Sequence, residues 1–113
     1  MEKITNSKKY DLEKRTANFA RKCRTFCKLL LIRSSGSVAA NHIEANESLS
    51  KKDYYHRVKI CRKEAKESKL WLDLLDLGLN SELITNRTSL INEANELMRI
   101  FGSIISKSLE FRV

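Results

Sequence analysis

The sequence predicts an all-α protein of four helical segments, and three observations carry that expectation. Proline is absent from the 113 residues and glycine occurs only 3 times; sheets and loop-rich folds need those residues at their turns. Apolar side chains recur at helical spacing through most of the chain. The stretch beginning at Ser50 carries an unbroken seam in alternating steps of four and three: Tyr54, Val58, Cys61, Ala65, Ser68, Leu72, Leu75 and Leu79. A chain of this length has room for one compact domain, residues 1–113.

The first segment, about 10–28, places Leu12, Phe19, Ala20, Cys23, Phe26 and Cys27 at helical spacing. The second, about 29–46, carries Leu29 to Ile32, then Val38, Ala39 and Ile43. Ser50 caps the third, 51–77, with Asp53 in its first turn and Gly78 as its stop. The fourth, about 86–110, has Leu90, Ala94, Leu97, Met98, Phe101, Ile104, Ile105 and Leu109. Past Ser68 the third segment becomes apolar on a second face, through Leu70, Trp71, Leu74 and Leu77. A helix apolar on two sides is buried on two sides, so these four residues are expected at a subunit interface. One place breaks the pattern: nothing between Asn18 and Ser34 reads as a turn.

Charge is uneven. Lys and Arg total 22 against 14 acids, a net +8, and the excess lies within residues 1–70. The cations form lines. Lys52, His56, Lys59, Lys63 and Lys66 follow one stripe of the third segment, widened by Arg62 and Lys69. Lys14, Arg21, Arg24 and Lys28 form a second stripe on the first segment. Regular cations on a rigid rod suit a phosphate backbone, where each contact releases counterions without reading base sequence. The same stripes would also serve a helix that only needs solubility. Lys63 and Glu67 stand at pairing distance along the helix, which would moderate the patch.

Enzyme chemistry has little to stand on. Gly36, Gly78 and Gly102 are too far apart for a phosphate loop. No Glu-x-x-His pair supports a di-metal site, and His42 and His56 stand alone. Ser34, Ser35 and Ser37 have no histidine at a helical spacing that would make it their base. The expectation is no catalysis, no metal and no cofactor. Cys23, Cys27 and Cys61 read as small core thiols kept reduced, since an odd count makes no disulfide framework. The longest apolar run, Leu29 to Ile32, is too short to cross a bilayer, and Met1 to Asn6 lacks a signal-peptide core. A cytoplasmic protein is expected.

With these segments laid out, the chain resembles the 23S rRNA intervening-sequence proteins. The likeness begins at Tyr10-Asp11-Leu12-Glu13-Lys14-Arg15-Thr16, with Phe19-Ala20 and Phe26. It is strongest at Ile32-Arg33-Ser34-Ser35-Gly36-Ser37-Val38-Ala39-Ala40-Asn41 and Glu44-Ala45-Asn46. It resumes at Ser50-Lys51-Lys52-Asp53, at Lys63-Glu64-Ala65-Lys66-Glu67-Ser68, at Trp71-Leu72, at Glu96-Leu97-Met98-Arg99-Ile100 and at Ile104-Ile105. The resemblance implies an antiparallel up-down four-helix bundle, a ring-forming oligomer that is typically a homopentamer, and no enzymatic activity. Related bundle proteins serve as accessory factors of retroelement reverse transcriptases. By the same resemblance Arg33, Ser34, Asn41, Glu44, Glu64, Glu67 and Trp71 match recurring family positions, the polar ones forming a hydrogen-bond network between facing helices.

The departure lies after Lys28, where the family has a Leu-Pro-containing turn and more helix that this sequence lacks. The bundle nonetheless requires a reversal, so a connecting loop outside the numbering is expected near Lys28 to Leu30, with antiparallel helices on either side. A chain continuous there would form one rod of about 37 residues and roughly 55 Å, suited to a rod-like or domain-swapped assembly. The function expected is a non-catalytic oligomer that binds RNA or DNA phosphates through Lys14, Arg21, Arg24, Lys28, Lys52, Lys59, Arg62, Lys63 and Lys66. The alternative is a protein-interaction scaffold or reverse-transcriptase accessory factor whose charge only steers or solubilises it.

Overall fold

The computed structural model of the chain describes residues 6–110, all of it helix and short connections. Side chains at Tyr10 and Leu109, and the Met1–Thr5 segment, lie outside the described residues. Three helices follow one another: α1 (Asn6–Asn46), α2 (Lys51–Leu74) and α3 (Ser81–Glu110). The reversal expected near Lys28 is not there. The first two segments form one helix of 41 residues, because no proline or glycine between Asn18 and Ser34 interrupts it and propagation adds a hydrogen bond at each step. Gly36 lies inside it with nothing within 4 Å of where a Cβ would stand.

The body of the fold is built on α2. The carboxyl-terminal half of α1 and helix α3 lie against it, while the backbones of α1 and α3 do not approach each other. The core holds Ala45 from α1, Val58 and Cys61 from α2 and Phe101 from α3, flanked by Val38, Tyr54, Leu97, Ile104 and Ile105. The seam expected on α2 is observed through Leu72: Val58, Cys61, Ala65, Ser68 and Leu72 are all buried. Leu79 leaves it and is fully exposed, because α2 ends at Leu74 and not at residue 77. Asp76 Oδ1 there accepts from the Gly78 amide, and Gly78 turns the chain at φ 59°.

Caps set the remaining boundaries. Ser50 accepts from the Asp53 amide at 3.1 Å, as expected of the α2 start. Asn80 does the same for Leu83 at 3.0 Å, which starts α3 at Ser81, five residues earlier than the periodicity placed it. Arg87 then reaches back to donate to the Leu75 carbonyl at 2.7 Å, tying α3 to the end of α2.

The amino-terminal half of α1 extends beyond the body as an arm. Phe19 is 70% exposed and Phe26 65%, with Leu12 and Leu29 also open. Cys23 and Cys27, read above as core thiols, are exposed for the same reason: without a reversal their face meets no other helix of the chain. The resulting shape measures 76 × 28 × 22 Å, with a radius of gyration of 21.0 Å. A compact domain of this length would have about 13 Å.

Candidate nucleic-acid interface and apolar groove

On α2 the basic stripe lies opposite the buried seam. Lys52, His56, Lys59, Lys63 and Lys66 are all exposed, and helical geometry puts them on the face turned away from α1 and α3. Arg62 is exposed too, but its guanidinium lies about 4.0 Å from where a Cβ on Gly102 would stand, which places it toward α3. Lys14, Arg21, Arg24 and Lys28 are exposed along the arm. Two separate basic surfaces result.

The expected polar network divides into two clusters joining α1 to α2. In one, Arg33 donates to Glu67 at 2.7 Å and to Glu64 at 3.3 Å. Glu67 is thereby drawn to Arg33 and away from the Lys63 pairing expected along the helix. The Glu64 carboxylate, with Glu67 beside it, raises the Arg33 guanidinium above its ordinary value. Ser34 is fully buried, and its hydroxyl shares a 2.9 Å hydrogen bond with Ser68, which also donates to the Glu64 carbonyl. In the other cluster Arg57 bonds Glu44 at 2.8 Å and Asn41 at 3.1 Å, and Asn41 donates to Ser37. Sequence reasoning missed Arg57; its position four residues before Cys61 on the α1-facing flank of the seam was the available signal.

The Cys61 thiol is fully buried and lies 3.5 Å from the Val38 carbonyl. Burial pushes this thiol up from its ordinary value. The folded chain therefore keeps a proton that the unfolded chain loses first, so stability falls as pH rises through the usual thiol range of about 8–10. Urea midpoints of the parent should decline more over that interval than those of Cys61→Ala. Equal declines would mean that Cys61 contributes nothing to the pH dependence.

A groove that periodicity alone did not reveal runs between α1 and α3. It has a volume of about 570 Å³ and is almost wholly apolar. Val38 and His42 form part of one wall, Leu97 and Ile100 part of the other, and Ala65 and Leu72 lie in the floor. His42 and Phe101 meet across one end, ring centroids 6.4 Å apart. The expected interface residues lie elsewhere: Leu70 and Leu74 are exposed on α2, Trp71 is half-buried, and Leu77 is in the α2–α3 connection. Trp71 Nε1 is buried without a hydrogen-bond partner. Among the described residues no His, Cys, Asp and Glu cluster could hold a metal ion, and no helix is long and apolar enough to cross a membrane.

No family model and no curated protein matches the sequence. A solved structure does: a protein of unknown function from the S23 ribosomal protein family of Bacteroides thetaiotaomicron. The two are 31% identical, the match covers 70% of this chain and 72% of that one, and the TM-score is 0.62. That identity, over that share of both chains, accompanies a shared helical fold. The chain belongs to the S23 ribosomal protein family.

Proposed function

We propose that the protein is a non-catalytic helical protein that binds the phosphate backbone of RNA or DNA through its basic helix faces. The supporting observation is the exposure of Lys52, Lys59, Lys63 and Lys66 on one outward face of α2. Only their spacing along one rigid helix is needed, since phosphate contacts carry affinity without base readout. The relative's place in a ribosomal protein family is consistent with an RNA partner, and we read the likeness more finely as one to the 23S rRNA intervening-sequence proteins. On this reading the protein works in the cytoplasm and associates with copies of itself. The five-membered ring implied by the resemblance presumes a reversal after Lys28, which α1 replaces with continuous helix, so the copy number is not carried over.

Salt titration tests the proposal. Binding to labelled RNA and DNA duplexes of unrelated sequence should weaken linearly in log salt, with a slope of about −3 to −4 for four phosphate contacts. Binding that ignores salt would sink it and favour the scaffold reading.

A further inference from the structure

We propose that the groove between α1 and α3 is filled by the amino-terminal arm of a second copy, so that two chains exchange arms across a two-fold axis near Lys28 and Leu29. The arm has the right chemistry. Leu12, Phe19, Cys23 and Phe26 share one face, and Lys14, Arg21, Arg24 and Lys28 share the opposite one. A helix of this kind draws its stability from burying its apolar face, yet every described side chain from Asp11 to Leu29 is exposed. The groove has the complementary defect. Two helical walls and a helical floor leave an apolar channel of about 570 Å³, with Leu90 and Ile100 each 54% exposed.

The arm cannot fill the groove of its own chain. Unbroken helix through Lys28 to Leu31 carries it away in line with the α1 wall, and helix offers no reversal without a turn. A second copy lying antiparallel meets no such obstacle. The apolar part of the arm, Leu12 to Cys27, spans about 23 Å, long enough to cover the groove wall from Leu31 to His42 at about 17 Å. With the axis between Lys28 and Leu29, Phe19 of one copy comes level with Val38 of the other, and Phe26 with Leu31. Docked by its apolar face, the arm leaves its cations outward, clear of the apolar groove. Aromatic rings bury about 150–250 Å² each. Two exchanged arms, each carrying Phe19 and Phe26, together with the walls they cover, clear the roughly 1,200 Å² of a stable interface. The assembly closes on itself, as two-fold contacts do. It stands whether or not the chain binds nucleic acid.

The test uses the full chain and its mass in solution at tens of micromolar. The parent should run as two chains. Inserting a flexible four-residue turn between Lys28 and Leu29 should abolish the two-chain species at unchanged helicity, because the arm can then fold back into its own groove. Phe19→Asp combined with Phe26→Asp should raise the dimer dissociation constant at least tenfold and leave α2 and α3 folded. A parent mass other than two chains would overturn the proposal. So would an insertion variant that keeps the parent's mass, since association would then run through another surface such as Leu70 and Leu74.

Discussion

Replacing Phe101 with alanine should lower stability by about 3–5 kcal/mol, the range for emptying a buried aromatic site. The ring is 4% exposed and lies with Ala45, Val58 and Cys61; it is the largest side chain that α3 puts into that core. Most of those neighbours are small and cannot collapse into the space, which keeps the cost in the upper part of the range. Domains are stable by about 5–15 kcal/mol in total, so the variant should be partly unfolded at moderate temperature. Urea denaturation at fixed protein concentration, followed by far-UV circular dichroism, measures it. Leu79→Ala is the control: that side chain is fully exposed in a connection and should change stability by no more than about 0.5 kcal/mol. A Phe101→Ala variant as stable as the control would mean that α3 is anchored elsewhere.

Changing Lys59, Lys63 and Lys66 together to glutamate should abolish retention of nucleic acid at physiological salt. All three side chains are exposed on α2, so helicity should be unaffected. Losing three phosphate contacts removes about three units of log-log salt slope, and the new carboxylates repel the backbone besides. Fluorescence anisotropy with a labelled duplex reads both changes. If the variant binds like the parent, the contact surface is the arm, and Lys14, Arg21, Arg24 and Lys28 become the residues to reverse.

Much of the helical content was legible because it rests on short-range rules. The α2 seam from Tyr54 to Leu72 and the Ser50 cap needed only spacing and a hydroxyl in the right place. The Asn80 cap is equally present in Asn80-Ser81-Glu82, but the apolar positions begin later and by themselves place the start of α3 too far along the chain. What spacing could not supply was the direction of the chain after Lys28. The residues there are good helix formers, and the resemblance argued for a turn that their own preferences do not support. The polar contacts are half legible for a related reason. Arg33 meets Glu64 and Glu67, but Glu44 and Asn41 meet Arg57, whose place opposite them depends on how α1 lies along α2.

The central place of α2 also has a kinetic consequence. Each of its neighbours follows or precedes it directly in the chain through a connection of a few residues, so the body forms from contacts close in sequence. Topologies of that kind fold in microseconds to milliseconds. Nothing in that unimolecular step requires the arm, which on the arm-exchange proposal finds its cover by collision with another chain. Refolding should therefore show a fast phase independent of protein concentration and a slower one whose rate rises with it.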